Sequence, residues 1–196
     1  MLSFPAVHTL TGCLLDLEAS AHQLGWGRPP FLLLIQDQPS PSAPSSKTRQ
    51  MTAVQVPVNP ARVGRYRAGL PDLLLDLATA LSADRPVGQP TLSACVNLGL
   101  IVDRVADATP GLRLLAWAVC YEDVLVESDE LHEIRRVDAV DADGRDYQIT
   151  RLRGEPHPVV FIDEQRDDGY EPATRPGLER LVETTSRPRP PSPTTR

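Results

Sequence analysis

The chain has 196 residues, of which 41% are hydrophobic and 23% charged, a globular balance that fits one domain. Its net charge of −6 disfavours general nucleic-acid binding, because a polyanion is gripped by a basic surface. The longest apolar runs fall short of the ~18 residues that a membrane-spanning helix needs.

The composition is biased. Lys47 is the only lysine, so the other nineteen basic residues are arginine, and Asn59 and Asn97 are the only asparagines. Such a bias reflects a GC-rich genome rather than a mechanism. Cys13, Cys95 and Cys120 are odd in number and lie in apolar runs, which points to free, packed thiols in a reducing, cytoplasmic compartment.

In chain order, residues 5–24 predict an amphipathic helix. Leu10, Leu14, Leu17, Ala21 and Leu24 recur on one face, and Asp16, Glu18 and Gln23 take the others. Gly25 is expected to close it in a left-handed conformation. Leu10 to Cys13 spell the L-T-G-C box of a lipoprotein signal. No basic residue precedes it, and Pro5 and His8 interrupt its apolar stretch, so the helix is expected to run on through Cys13. Phe31 to Ile35 read as a buried strand. Residues 37–52, rich in Pro and Ser, read as a disordered loop within the domain. Ala53 to Val58 suit an edge strand, since Pro57 has no N–H to donate.

A second helix is expected over 71–83, with Pro71 in its first turn, and a third over 92–107. Leu112 to Val126 is apolar on both faces and predicts a central strand covered on both sides. Residues 132–141 and 145–153 predict a hairpin turning at Asp143-Gly144. A last strand at 159–162 and a short helix opening at Pro176 follow, and the Pro/Arg-rich tail 186–196 is expected to be disordered.

The familiar chemical motifs fail on inspection. With Gly144 as the sixth residue of an EF-hand loop, Ala139 and Thr150 stand where calcium needs acids. In H-E-I-R-R, Arg136 replaces the second histidine of a zinc-binding helix. His157, between two prolines, reads as an exposed turn residue. Cys120 precedes Tyr121, Glu122 and Asp123, an acidic setting that disfavours a thiolate. No glycine-rich phosphate loop and no nucleophile elbow occurs, and no cofactor is expected.

Charge is the most unusual feature. Residues 122–171 carry sixteen Asp and Glu against six Arg, or −10, while the remainder carries ten acids and fourteen bases, or +4. Such an acidic sheet region either recruits a basic partner or guards sheet edges. Glu122, Asp123, Asp138, Asp141 and Asp143 are its candidate contact residues. Arg62, Arg65 and Arg67, with Tyr66 among them, form a second candidate surface, able in principle to hold a phosphate or a single strand. The tail R-P-R-P-P-S-P carries P-x-x-P spacing.

Two stretches, L-G-W-G-R-P-P-F-L-L-L-I at 24–35 and R-R-V-D-A-V-D-A-D-G-R-D-Y-Q-I-T-R-L-R-G at 135–154, resemble small uncharacterised α+β proteins of high-GC Gram-positive bacteria. The resemblance implies a bacterial, cytosolic setting and no activity. The expected fold is a single α+β domain over 1–185. A mainly antiparallel sheet of four or five strands is packed against three or four helices, with the N-terminal and middle helices covering it. The expected function is that of a non-enzymatic accessory or regulatory protein, acting by protein–protein binding through its acidic sheet region. The alternative is a small hydrolase or transferase that unites a Cys and a His, or two carboxylates.

Overall fold

A computed structural model describes residues 1–39, 49–82, 96–97, 101, 113–128, 130–163 and 172–186. Six strands form one sheet: β1 (Phe31–Pro39), β2 (Arg49–Pro57), β3 (Arg113–Glu127), β4 (Glu130–Asp141), β5 (Asp146–Leu152) and β6 (Val159–Asp163). Their spatial order is β2-β1-β3-β4-β5-β6, and every neighbouring pair is antiparallel. The helices are α1 (Phe4–Gln23), the single turn α2 (Pro60–Val63), α3 (Leu70–Leu81) and α4 (Arg175–Ser186).

Alternation along the strands gives the sheet two buried faces. Leu33, Ile35, Ala116, Ala118, Cys120, Val137, Ala139, Tyr147 and Ile149 pack with Leu10, Leu14 and Ala21 of α1. On the other face, Leu32, Leu34, Val56, Trp117, Val119 and Val140 pack with Leu73, Leu74 and Leu77 of α3 and Leu178 and Leu181 of α4. The successive residues Trp117, Ala118, Val119 and Cys120 therefore serve opposite cores, as a doubly covered central strand requires. α3 and α4 cross closely at Gly177, where an added Cβ would stand 2.4 Å from Leu74 Cβ. α4 is also held through its side chains, since Trp117 Nε1 donates to Thr185 Oγ1 at 2.9 Å.

The sheet has six strands rather than the four or five expected. All six segments read as strand join this one sheet, and β1 and β2 are longer than expected, pairing along nine residues each from Phe31↔Pro57 to Pro39↔Arg49. Residues 37–39 and 49–52, expected to be loop, thus extend the two strands, because an antiparallel partner satisfies their backbone groups despite the polar sequence. The rest of that loop, most of the helix expected over 92–107, Cys95 and the tail 187–196 lie outside the described residues. Coverage differs too: α1 takes one face, and the C-terminal α4 joins α3 on the other. The buried stripe of α1 is Leu10, Leu14, Glu18 and Ala21, so Glu18 lies inside while Leu24 is exposed. The expected left-handed residue after α1 is present, with Gly25 at φ +88°. So is the hairpin turn, with Gly144 at φ +82°, a conformation that a Cβ would strain.

Candidate functional site

The acidic residues separate into those used inside the fold and those left on its surface. Glu18 on α1 is fully buried over the sheet and pairs bidentately with Arg151 of β5, the Nε–Oε1 distance being 2.7 Å. That partner raises the pKa of Arg151, the hydrogen bond being the leading cause. Arg135, opposite Arg151 in the β4–β5 register, lies with Nη1 3.9 Å from Glu18 Oε1. Its Nη2 donates to Gly25 O at 2.6 Å and to Glu122 Oε1 at 3.1 Å. Trp26 caps the cluster, its ring centre 4.5 Å from the Arg135 guanidinium and 5.5 Å from that of Arg153. Glu122 also accepts from the backbone N–H of Gly27 at 2.8 Å. Glu122 is therefore committed to fastening the turn after α1 to β3.

Asp138 lies on the opposite face and is 2% exposed. Its Oδ2 accepts from Tyr121 Oη at 2.7 Å and from Thr174 Oγ1 at 2.6 Å, and Arg136 Nη2 stands 3.3 Å from Oδ1. Thr174 opens α4, its carbonyl accepting from Leu178 N–H. Asp138 thus ties the sheet to the start of α4. Burial, with the Asp138 charge next, raises the Tyr121 hydroxyl well above its ordinary range.

Asp141 is fully buried at the end of β4 and organises the hairpin turn. Its Oδ1 accepts from the N–H groups of Asp143 and Arg145 at 2.8 and 3.0 Å. Its Oδ2 accepts from Arg145 Nη1 at 3.0 Å and Tyr147 Oη at 2.8 Å. Asp143 pairs with the N-terminal amine at 3.2 Å and accepts from Leu2 N–H. Four of the five candidate acids are therefore bonded within the fold, although Asp143 is exposed while it is so bonded; Asp123, also exposed, accepts from the N–H of Val124. Asp138 and Asp141, being buried, are not surface contacts.

The surface that remains is a two-stranded ribbon. β1 pairs with β3 only as far as Cys120, and β5 pairs with β4 only from Ile134 onward. Beyond those limits β3 and β4 are, among the described residues, the only paired strands, from Val124↔Glu133 to Glu127↔Glu130. Val124, Leu125, Val126 and Leu131 are exposed there, Val126 at 65% and Leu131 at 73%. Asp123, Glu127, Glu130 and Glu133 are exposed beside them, with Glu133 paired to Arg153. The alternation puts Val124, Val126, Leu131 and Glu133 on one face of the ribbon and Asp123, Leu125, Glu127 and Glu130 on the other.

The basic candidates follow the single turn α2. Arg65 and Arg67 are exposed and Arg62 is half-buried, while Tyr66 packs against the α3–α4 core, so its ring serves packing rather than base stacking. Burial pushes the Cys120 thiol up to about 12, the reverse of what a thiol nucleophile needs. Burial raises Cys13 as well, with Asp16 adding to it. His8, His22 and His157 are exposed at separate places, and His132 lies on the ribbon, 3.7 Å from Glu130.

The sequence missed two parts of this arrangement. Glu18 completes a 10-14-18-21 spacing that a search for apolar residues passes over. The ribbon's apolar residues read as interior strand, because the point where neighbouring strands stop is not written in β3 itself. No helix among the described residues is long and apolar enough to cross a membrane. No family model, curated protein or solved structure matches the chain.

Proposed function

We propose that the protein is a non-enzymatic accessory or regulatory protein that binds another protein through the acidic ribbon of β3 and β4. The observation that carries this reading is the exposure of Val124, Leu125, Val126 and Leu131 on a ribbon that, among the described residues, has no third strand. Apolar side chains exposed together and rimmed by charge are the usual composition of a contact surface. The ribbon also carries acids: Asp123, Glu127 and Glu130 are in solvent on the face of Leu125, opposite Val124, Val126 and Leu131. The partner that fits is a protein that covers the apolar face of the ribbon and reaches the acidic face with Arg or Lys. On this reading the acidic contact lies beyond Asp138, Asp141 and Asp143, on the exposed residues of the ribbon between 123 and 133.

The test is capture of partners from an extract of the native cell by the tagged full chain, eluted along a salt gradient. Complementary rim charges steer association and are screened by salt, so retention is expected to fall steeply as salt rises. Retention unchanged across the gradient would refute the acidic contact.

A further inference from the structure

We propose, resting on the binding role given to the ribbon above, that His132 is a charge switch on its acidic face, so that the partner is released as His132 takes up a proton. His132 stands opposite Leu125 in the β3–β4 register. The pairs that flank it on the same face are Asp123↔Ile134 and Glu127↔Glu130. His132 therefore lies at the centre of the face, with the carboxylates of Asp123, Glu127 and Glu130 around it. Its Nε2 is 3.7 Å from Glu130 Oε2, and its side chain is 33% exposed.

Among the described residues, those three acids are the charged groups that share this half of the ribbon face with His132. Glu133 lies on the opposite face, where it pairs with Arg153 from just after β5. Further along β4, beyond Ile134, Arg136 contacts Asp138 and Gln148. The other histidines, His8, His22 and His157, lie on α1 and in the turn between β5 and β6, off the ribbon.

Histidine is the side chain whose ordinary charge change falls between pH 5 and 8, a window in which carboxylates as a class stay ionised. A proton on His132 offsets one of the three negative charges and sets a cation among them. Arg or Lys side chains of a partner meet a weaker attraction there and a direct repulsion from the imidazolium. The sign follows: the face with neutral His132 binds a basic partner more tightly, and by linkage the bound partner favours loss of the proton. Affinity is therefore high at mildly alkaline pH and falls as pH drops.

The probe is the protein that the wild type retains at low salt and about pH 8 in the capture experiment above, purified and titrated against the full chain at constant ionic strength. Its affinity is expected to fall about fivefold between about pH 8 and about pH 5.5, the effect of one surface charge. His132→Gln and His132→Arg have fixed charge, so each should lose that fivefold ratio, whatever its affinity at the higher pH. Any ratio left in both variants belongs to groups of the partner. Circular dichroism at each pH confirms that the variants are folded. A wild-type affinity that is constant or rises on acidification overturns the switch and leaves the binding role standing. So does a ratio as large in His132→Gln as in the wild type. A wild type that retains no protein at about pH 8 and low salt refutes the binding role and the switch together.

Discussion

The β3–β4 hairpin is one continuous pair of strands with two unlike halves. The inner half, from residue 115 to Tyr121 and from Ile134 to Asp141, lies between neighbouring strands and is almost wholly buried. Its polar side chains have work inside the fold: Asp141 holds the turn, Asp138 the start of α4, and Arg135 the turn after α1. The outer half, from Asp123 to Glu133, has the same pairing but fewer apolar residues, and among the described residues no further strand flanks it beyond the contacts of Arg153 with Glu133. Sequence acidity is common to both halves and means different things in each. Inside, a carboxylate is an internal ligand for backbone N–H groups and arginines; outside, it borders exposed apolar side chains. Substitutions in the inner half should therefore change stability and spare binding, and those in the outer half should do the reverse.

The largest expected effect tests the inner ionic cluster. Glu18→Ala leaves the buried Arg151 without its carboxylate and Arg135 with Glu122 alone, and should cost about 3–5 kcal/mol of unfolding free energy, measured by urea titration. A loss under about 1 kcal/mol would show that the cluster is not structural, and the contrast between the halves would fail. Next comes Gly177→Ala. The added methyl meets Leu74 Cβ, and forcing α3 from α4 should cost about 1–3 kcal/mol in the same titration.

Alkaline pH probes the inner half through its protonated groups. The folded Cys120 thiol titrates near 12, whereas the unfolded one titrates at 9.0. Tyr147 is raised by burial in the same sense as Tyr121. The folded state therefore keeps protons that the unfolded state releases. The stabilisation from Cys120 is fully present below pH 9.0 and is lost as pH rises toward 12. Each such group contributes a slope of at most about 1.4 kcal/mol per pH unit. Thermal melts should fall in midpoint above that pH, and Cys120→Ala should have a shallower slope than the wild type.

The smallest stability effect belongs to the outer half. Val126→Asp/Leu131→Asp should change unfolding free energy by no more than about 0.5 kcal/mol per site, because both side chains are already in water. A large loss would mean that the ribbon packs against something within the chain.

Much of the fold was legible in the sequence. The 3.6-residue spacing of α1, the long apolar β3, the Asp143-Gly144 turn and Pro176 near the start of α4 each carry a local physical cause that fixes one element. The length of β1 and β2 was not legible, because Gln36 to Gln38 and Arg49 to Thr52 are strand by virtue of pairing with each other. The candidate site was legible only as a region. Composition located the acidic stretch, but whether Asp138 or Asp123 faces water depends on strand register and on α4, which comes from a distant part of the chain. Val124 and Val126 look like Val119 in sequence. They differ because β1 ends its pairing with β3 at Cys120.

The most direct measurement of the central claim is partner capture by Val126→Asp/Leu131→Asp beside the wild type, with thermal unfolding recorded on the same preparations. The account predicts that the variant melts as the wild type does and loses the captured partner by at least about tenfold, the equivalent of 1.4 kcal/mol. An equally stable variant that retains the partner would contradict it.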